Sequence, residues 1–326
     1  MKVLVVRFSS IGDIVLTTPV VRCLKEQLGC EVHYALKKEY APILDGNPYI
    51  DKQHLLDGDL SRLTAALRAE RFDHVVDLHA NLRTLRMRLA LGGRWSRFPK
   101  LNVEKWLLVN LKVNRLPHTH IVHRYMSAVA PLGVGYDGKG LDFFIRESDE
   151  TQWLRQLPET FRGGYVCLVP GAKFATKSIP VDKAADIVRR IARPVVILGG
   201  PSEAGAGERI VAESGRADVL HFCGKISLAV SAAALKHADS VIATDTGLMH
   251  IAAAFDKKIV SVWGNTVPEF GMYPFLSDAA PHAPVISEVR GLPCRPCSKI
   301  GYAQCPKGHF RCMHGQDAAL IARGSD

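Results

Sequence analysis

Short apolar runs alternate with longer amphipathic stretches along the first half of the chain. The run KVLVVRF near the N-terminus has the length and composition of a buried strand, and segments with helical periodicity separate it from further strand-like runs. The predicted strands are residues 2–8, 31–36, 52–56 and 74–78, and the predicted helices are residues 12–28, 60–70, 85–91 and 103–111. Strands that alternate with helices in this way indicate βαβ units and a parallel sheet.

A second series of the same kind follows a linker, which a polar run at residues 146–150 and a glycine pair at 163–164 mark. Its predicted strands are residues 165–170, 194–200, 219–224, 240–245 and 258–264, and its predicted helices are residues 182–191, 203–214, 227–236 and 247–255. The length of 326 residues also exceeds the roughly 250–300 residues that one core serves. We therefore predict an α/β protein with two doubly wound Rossmann-like domains, residues 1–155 and residues 156–326.

This architecture predicts where ligands bind. In doubly wound sheets they lie beyond the carboxyl ends of the strands, at the point where the strand order reverses. With two such domains, the cleft between them is the expected active site.

Composition favours a cytoplasmic protein. Hydrophobic residues make up 47% and charged residues 23%, which is ordinary for a globular chain. Apolar runs such as residues 195–198 are far shorter than the roughly 20 residues of a membrane span. The apolar run at the N-terminus is also shorter than the about 7–15 residues of a signal peptide.

The formal net charge of +10 is unevenly distributed. From Arg83 to Arg124 there are ten Lys and Arg residues and a single acid, Glu104. Such a stretch attracts phosphates, nucleic acids or anionic lipid headgroups. We therefore favour a binding face over a surface that only aids solubility.

The turn SSIGD follows the first predicted strand, where a phosphate-binding loop would lie in a dinucleotide-binding fold. It lacks the pattern GxGxxG, so that fingerprint is absent. Asp13 either caps the following helix, which is the simpler interpretation of the residues alone, or acts as a general base at the end of the strand.

Three further polar turns follow strands of the second domain. In PGAKFATKSIP, Lys173 and Lys177 would neutralise a diphosphate, unless they simply face water. In DTGLMH, the N–H groups of Thr246, Gly247 and Leu248 would hold an anion at a helix start.

Other residues of these turns have two interpretations each. Asp245 is either part of the anion site or a helix cap, and His250 is either a ligand or a core histidine. In GGPSE, Ser202 or Glu203 caps a helix, or the Glu203 carboxylate binds ribose hydroxyls. Together the four turns fit a nucleotide bound mainly by the second domain and an acceptor presented by the first.

These segments resemble glycosyltransferase family 9, the lipopolysaccharide heptosyltransferases and their relatives, over nearly the whole chain. The resemblance rests on KVLVVRFSSIGDIVLTTP, PGAKFATKSIP, GGPSE, and DTGLMHIAAAF followed by VSVWGNT. It implies a GT-B fold and inverting transfer of a heptose from ADP-heptose to a lipopolysaccharide core, without a catalytic metal.

The resemblance also implies roles for individual residues. Asp13 matches the catalytic base, and Lys177 matches the lysine that offsets charge on the leaving diphosphate. The implied donor-binding residues are Lys173, Thr176, Glu203, Asp245, Thr246, Gly247, Leu248 and His250. The acceptor-side candidates are Ser10, Gly12, Arg83 and Arg86. Ile179 stands where many members carry tryptophan, which leaves the donor sugar open.

The basic stretch suits a phosphorylated, lipid-linked oligosaccharide as acceptor. It also suits a peripheral position on the inner face of the cytoplasmic membrane, whose anionic lipids attract Lys and Arg.

A cysteine-rich segment lies near the C-terminus. Cys294 and Cys297 have the C-x2-C spacing of a zinc half-site, Cys305 and Cys312 are more widely spaced, and His309 lies between them. They are candidates for a structural zinc site, the alternative being reduced cysteines in a packed tail. The remaining cysteines, Cys23, Cys30, Cys167 and Cys223, are predicted to be reduced core residues.

Four alternatives remain open. The first is a non-catalytic sugar-nucleotide or glycan-binding protein of the same fold, and the second is a transferase for another nucleotide sugar. The third is a nucleic-acid-binding protein, and the fourth is a nicotinamide dehydrogenase. The last two are disfavoured, because the chain lacks RNP, KH and helix-turn-helix signatures as well as GxGxxG. We therefore predict no nucleic-acid partner.

Overall fold

A computed structural model describes residues 1–325, and its first sheet is parallel throughout. The strands of this sheet are β1 (Lys2–Val6), β2 (Glu31–Lys37), β3 (Lys52–Leu56), β4 (His74–Asp77) and β5 (Trp95–Arg97). They are arranged in the order β3-β2-β1-β4-β5. The first four strands agree with those predicted from the sequence, whereas the short edge strand β5 was not predicted.

The second sheet is also parallel. Its strands are β6 (Val166–Val169), β7 (Val195–Ile197), β8 (Val219–His221), β9 (Ser240–Thr244), β10 (Lys258–Trp263) and β11 (Val285–Glu288). They are arranged in the order β11-β10-β9-β6-β7-β8. The edge strand β11 was not predicted, because half of its residues are exposed and it lacks a continuous apolar run.

Most helices lie between successive strands. They are α1 (Ile11–Val15), α2 (Thr18–Leu28), α3 (Leu60–Glu70), α4 (Leu82–Leu91), α5 (Asn102–Leu111), α6 (Ile121–Met126), α7 (Glu147–Gln156), α8 (Val181–Arg190), α9 (Ala204–Ser214), α10 (Leu228–His237), α11 (Gly247–Ala253), α12 (Arg311–His314) and α13 (Ala318–Ser325). The single helix predicted over residues 12–28 is wrong: it is two helices, α1 and α2. Pro19 in the first turn of α2 has no N–H, so it suits a helix start better than a helix interior.

The described residues form two compact units. The first contains residues 1–100, 119–144 and 277–279, and the second contains residues 101–118, 145–276 and the described residues from 280 onward. The predicted bounds of 1–155 and 156–326 differ from these units at residues 101–118, 145–155 and 277–279.

Burial explains why the strands are continuous apolar runs. Every residue of β4 and of β6 is buried, as expected for parallel strands with helices on both faces. Helix α8 buries Ala184, Ala185, Ile187 and Val188, which follow helical spacing and pack into the core of the second unit. Each unit therefore has its own hydrophobic core.

The strand orders place one reversal point in each sheet. Strand β1 lies between β2 and β4, and strand β6 lies between β7 and β9. The chain therefore builds one side of each sheet and returns to build the other, which leaves a crevice at the carboxyl ends of β1 and β4 and of β6 and β9.

Arg22 on α2 stabilises the first unit through a buried ionic cluster. Its guanidinium donates to both Asp137 carboxylate oxygens at 2.8 and 2.9 Å, to the carbonyl of Gly140 at 2.8 Å, and to Asp142. The side chain of Arg22 is 1% exposed. Residues 137–142 have no helix or strand of their own, so this cluster fixes their path.

Replacing Arg22 with methionine should destabilise the first unit by about 3–5 kcal/mol, because two carboxylates would lose their buried counter-ion. Denaturant unfolding followed by a probe in this unit measures the change. The matched control is Arg209→Met, which breaks the exposed pair with Glu213 and should cost less than about 1 kcal/mol. Equal effects of the two changes would show that the cluster is not a stabilising element.

Candidate functional site

Asp13 lies in α1, just beyond the carboxyl end of β1. One of its carboxylate oxygens is 2.6 Å from Nη2 of Arg7, and the other accepts hydrogen bonds from the Ser10 hydroxyl at 2.8 Å and the Ser10 N–H at 3.2 Å. The carboxylate thus does part of what a helix cap does and also forms an ion pair. The hydrogen bonds with Ser10 agree with the capping interpretation of Asp13, whereas its role as a general base stays a prediction.

Arg7 is anchored independently of Asp13. Its Nε donates to the carbonyl of Ser9 at 2.8 Å, and its Nη1 donates to the carbonyl of Leu78 at 2.6 Å. Leu78 directly follows β4, so Arg7 bridges the two strands at the reversal point of the first sheet. The guanidinium also lies over the ring of Tyr125, 5.9 Å from its centroid.

The Arg7 guanidinium decides the charge of Asp13. Burial alone would raise the pKa of the carboxyl, but Arg7 and the hydrogen bonds from Ser10 outweigh it and hold the pKa below its ordinary value. Asp13 is therefore ionised at neutral pH. About a fifth of its side chain stays exposed, so the carboxylate is accessible from outside the protein.

His79 is a second polar group at this edge, and sequence analysis missed it. It lies just after β4, and its ring packs edge-on against Phe8 with centroids 5.4 Å apart. Burial, aided by the charges of Arg7 and Lys100, lowers the pKa of His79 to about 3, so the ring is neutral. Within residues 1–325 its buried Nδ1 has no hydrogen-bond partner. The signal in the sequence is a histidine directly after the strand HVVDL.

The other acceptor-side candidates separate into two groups. Ser10 contacts Asp13 directly, and Gly12 is buried in the same helix. Arg83 and Arg86 are exposed on α4 and, within residues 1–325, form no hydrogen bond or ion pair with Asp13. Of the four candidates, Ser10 is thus the one that forms a hydrogen bond with the Asp13 carboxylate among the described residues.

In the second unit, Lys177 and Asp245 form an ion pair at the reversal point of the sheet. The Lys177 Nζ lies 2.6 Å from Oδ2 of Asp245, and both side chains are largely buried at 16% and 11% exposure. Lys177 belongs to the loop after β6, and Asp245 directly follows β9. The pair thus joins the loops of adjacent strands.

Neighbouring hydroxyls hold this pair in place. The hydroxyl of Thr266, after β10, donates to the same Asp245 oxygen at 3.0 Å, and the hydroxyl of Thr244 donates to the carbonyl of Gly171 at 3.0 Å. Asp245 does not cap α11, whose N-cap residue Thr246 has no side-chain capping bond. The capping interpretation of Asp245 is therefore wrong, because its carboxylate points to Lys177 instead.

Glu203 connects the loops after β6 and β7. One carboxylate oxygen accepts the Gly200 N–H at 2.7 Å, and the other accepts the Ser202 hydroxyl at 2.6 Å. Its methylene groups cover Gly171, where a β-carbon would overlap them. The glycine is thus required by the close approach of Glu203, and the acid lies near the loop that carries Lys177.

The remaining donor-side candidates differ in their surroundings. Lys173 is exposed beside the ring of Phe174, and His250 is buried within α11. Thr176 is buried, and its hydroxyl donates to the Tyr302 carbonyl at 3.1 Å and accepts the Tyr302 N–H at 2.8 Å. In the structure, Thr176 therefore ties the loop after β6 to the cysteine-rich segment.

Asn265 is a buried amide that sequence analysis did not single out. It lies two residues beyond β10, next to Thr266, and is 1% exposed. Neither its side-chain nitrogen nor its side-chain oxygen has a hydrogen-bond partner within residues 1–325. Because an unpaired buried amide is costly, Asn265 is a candidate ligand contact. The motif WGNT after the strand was the signal that the sequence offered.

The cysteine-rich segment supports the same loops. Arg295, between two of its cysteines, donates from Nε to the Gly264 carbonyl at 2.7 Å and from Nη2 to the Thr266 carbonyl at 2.9 Å. The Cys297 N–H donates to the Asn265 carbonyl at 3.3 Å. The tail therefore fixes the residues that follow β10.

The four cysteines of this segment line one small cavity together with His309. Cys294 Sγ lies 3.8 Å from Nε2 of His309. Burial, and the proximity of the other thiols, raise the pKa of Cys297 and of Cys312. Within residues 1–325, the one group of three ligand atoms all within 4.8 Å of each other is His33, His54 and Glu70. The four thiols thus line one cavity and are suitable zinc ligands. Their sulfur atoms do not all lie within 4.8 Å of one another.

Comparison with known proteins identifies relatives over most of the chain. A family model described as glycosyltransferase family 9 (heptosyltransferase) matches residues 60–300. Lipopolysaccharide heptosyltransferase 3 of Escherichia coli K12 is 25% identical over 282 residues, which cover 78% of this chain and 80% of that protein.

Two solved structures show the same fold. A family 9 glycosyltransferase of Veillonella parvula gives a TM-score of 0.77 at 18% identity, over 99% of this chain and 95% of that one. The Escherichia coli ADP-heptose lipopolysaccharide heptosyltransferase II gives a TM-score of 0.70 at 20% identity, over 99% and 100% of the two chains. The predicted GT-B fold is therefore confirmed.

Replacing Arg7 with glutamine should raise the pKa of Asp13, because burial would then act without the opposing positive charge. Carbon NMR of the labelled carboxyl group, followed as a function of pH, measures this change. The control is Lys38→Gln, which removes the partner of the exposed Asp57 and should leave Asp13 unaffected. An Asp13 titration that does not move in the Arg7 variant would contradict this account of its charge.

Proposed function

Since the chain belongs to glycosyltransferase family 9, we propose that it transfers a heptose from ADP-heptose to a lipopolysaccharide core or another lipid-linked glycan. In this proposal the configuration at the anomeric carbon is inverted. The names of the relatives support it: one is a lipopolysaccharide heptosyltransferase, and another is an ADP-heptose lipopolysaccharide heptosyltransferase.

The observation that carries the proposal is the Lys177–Asp245 pair at the reversal point of the second sheet. Doubly wound sheets bind nucleotides at this position. When the bond from the anomeric carbon to the diphosphate breaks, negative charge develops on the departing ADP. In this proposal the Lys177 ammonium group, held in place by Asp245, stabilises that charge.

Other groups of the second unit complete the donor site in this proposal. The N–H groups of Thr246, Gly247 and Leu248 at the start of α11 bind diphosphate oxygens, and the exposed Lys173 adds positive charge. The Glu203 carboxylate receives the ribose hydroxyls, since each of its oxygens already accepts one hydrogen bond and has a second lone pair for another.

Asp13 is the proposed general base. Its carboxylate is ionised and partly exposed, as proton removal from an acceptor hydroxyl requires. Because its pKa is low, it accepts the proton late, when the new bond to the anomeric carbon has made the hydroxyl strongly acidic. His79, whose Nδ1 has no partner among the described residues, lies at the same edge of the sheet and orients that hydroxyl in this proposal.

We propose that catalysis needs no metal ion. Lysines and N–H dipoles supply the positive charge that a divalent cation provides in other transferases. Ser10 and Gly12 lie on the acceptor side next to Asp13, and Arg83 and Arg86 attract the phosphate groups of the acceptor.

A peripheral position on the inner face of the cytoplasmic membrane is part of the same proposal. Helices of residues 1–325 are all too short or too polar to span a bilayer. A lipid-linked acceptor would nevertheless bring the enzyme to the membrane surface. The cytoplasmic location stays a prediction.

Two substitutions should separate binding from chemistry. Asp13→Asn should lower the transfer rate by about 10²–10⁴-fold while leaving ADP affinity unchanged, because the base contacts only the acceptor. Lys177→Met should weaken ADP binding by roughly 10–150-fold, which corresponds to about 1.5–3 kcal/mol for one charged hydrogen bond. Calorimetry with ADP and a transfer assay with ADP-heptose measure both quantities.

The matched controls are Asp57→Asn and Lys236→Met, which alter exposed ion pairs elsewhere and should change neither quantity. Full activity of Asp13→Asn would exclude Asp13 as the base. A nucleotide panel tests the donor: preference for UDP or GDP over ADP would indicate another nucleotide sugar. Nucleotide binding without transfer to any lipid-linked glycan would favour a non-catalytic binding protein.

We also propose that Cys294, Cys297, Cys305 and Cys312 bind a structural zinc ion. Thiolates are preferred zinc ligands, and these four line one cavity with His309. The ion would cross-link distant parts of the cysteine-rich segment. It would thereby fix the positions of Arg295 and Tyr302, which contact the loops after β10 and β6.

The purified chain should therefore contain about one zinc ion per molecule, since a four-thiolate site holds one ion. Removing it with a chelator should lower the melting temperature and weaken ADP binding. Cys294→Ser combined with Cys297→Ser should abolish zinc binding, whereas Cys30→Ala, at a buried cysteine of the first unit, should not. Metal-free protein whose stability is insensitive to chelation would refute the site.

A further inference from the structure

Exposed hydrophobic side chains are concentrated in one short part of the sequence. Seven of the fifteen large hydrophobic residues exposed within residues 1–325 lie between Leu82 and Val113, about a tenth of the chain. The seven are Leu82, Leu85, Leu89, Val103, Trp106, Leu111 and Val113. This concentration exceeds the scattered exposure of single apolar residues that is normal for a protein surface.

Helix α4 carries leucines on the side opposite its packed face. Thr84 and Met87 are buried, and Met87 belongs to the core of the first unit. At about 100° per residue, Leu82, Leu85 and Leu89 fall on the opposite side of the helix. Leu82 and Leu89 are 76% and 80% exposed. The helix therefore has two apolar faces, and only one of them is used by the core.

Arginines flank the outward leucines. Arg83 and Arg86 lie on one side of the leucine row and Arg88 lies on the other, and α4 contains no acidic residue. Within residues 1–325, none of these three arginines forms an ion pair. Their charge is therefore available to an anionic partner, while the leucines between them need an apolar one.

A second apolar surface lies on α5, in the other unit. Leu108 is buried there against Leu116, Val267 and Phe270, whereas Trp106 on another side of the helix is 56% exposed. Tryptophan is typical of the interface between water and lipid, where its ring is partly buried and its N–H stays hydrated.

From these features we infer that α4 binds the surface of an anionic lipid bilayer; the exposed Trp106 of α5 has the chemistry for the same kind of surface. Leu82, Leu85 and Leu89 enter the boundary between headgroups and acyl chains, and the flanking arginines contact lipid phosphates. A row of apolar residues edged by basic ones is the pattern of helices that lie in a membrane interface. The length of the side chains lets the guanidinium groups stay at the headgroups while the leucines go deeper.

Charge distinguishes this partner from the other candidates. In a symmetric contact between two copies of the chain, the arginines of one α4 would face those of the other, and like charges would oppose binding. A nucleic acid would satisfy the arginines but leave the leucines without an apolar partner. A bilayer with anionic headgroups satisfies both, because it presents negative charge above an apolar interior.

The inference rests on the proposed function in one respect: a lipid-linked acceptor lies in the membrane, so membrane binding by α4 would bring the enzyme to its acceptor. Membrane binding itself requires neither donor nor acceptor. It can therefore be measured on the full chain without any assay of transfer.

The test is flotation of the purified protein with vesicles of phosphatidylcholine, made with and without phosphatidylglycerol. Wild-type protein should float with the phosphatidylglycerol vesicles, and binding should weaken but persist in raised salt, since the apolar contribution is not screened. The variant Leu82→Gln/Leu85→Gln/Leu89→Gln should bind at least about tenfold more weakly, a change of ~1.4 kcal/mol or more.

The control variant is Leu154→Gln/Leu320→Gln, which removes two exposed leucines from α7 and α13 and should bind vesicles like wild type. Melting temperature and ADP binding should be unchanged in the triple variant, which excludes misfolding. Wild-type protein that floats with neither kind of vesicle would overturn the inference, and so would a triple variant that binds vesicles as well as wild type. A leucine-dependent dimer without vesicle binding would assign α4 to a second copy instead. Retained ADP binding in each of these cases would leave the proposed function standing.

Discussion

The ion pair between Lys177 and Asp245 connects the two loops that leave the adjacent strands β6 and β9. The surrounding contacts of the second unit converge on it. Thr266 supports Asp245 from the end of β10, and Arg295 holds the backbone of Thr266 in turn. Because each partner is fixed by further contacts, the protein itself holds the lysine in place, and in the proposed donor site little side-chain entropy would be lost on binding.

The first unit applies the same principle with the signs reversed. There the proposed catalytic group is an acid, Asp13, and the basic residue Arg7 holds it. Pairing has a chemical cost in both units: Arg7 makes Asp13 a weaker base, and Asp245 cancels part of the positive charge of Lys177. The compensation is geometric, since each group stays ionised in a fixed place. A fixed charge in a partly buried site stabilises a developing charge without reorganisation during the reaction.

The sequence predicted the regular parts of this arrangement because they depend on local patterns. Apolar runs at strand length, and glycine-containing turns after them, were enough to place Asp13, Lys177, Glu203 and Asp245 at strand ends. What the sequence left undecided depends on contacts between distant residues. Thr176 is tied to Tyr302, 126 residues away, and no local pattern indicates that contact. The same holds for Arg7, which looks like an ordinary strand residue until Leu78 and Asp13 are beside it.

The outward leucines of α4 cannot be explained by the folding of the first unit. Asn81 caps the helix by accepting the N–H groups of Arg83 and Thr84 at 2.9 and 3.1 Å, and Met87 anchors its inner face in the core. These contacts are sufficient to define the start and orientation of the helix, and the opposite face adds nothing to them. Polar residues there would be equally compatible with the fold and would reduce the tendency to aggregate. A row of leucines among arginines that have no ion-pair partner within residues 1–325 therefore points to a partner outside the chain.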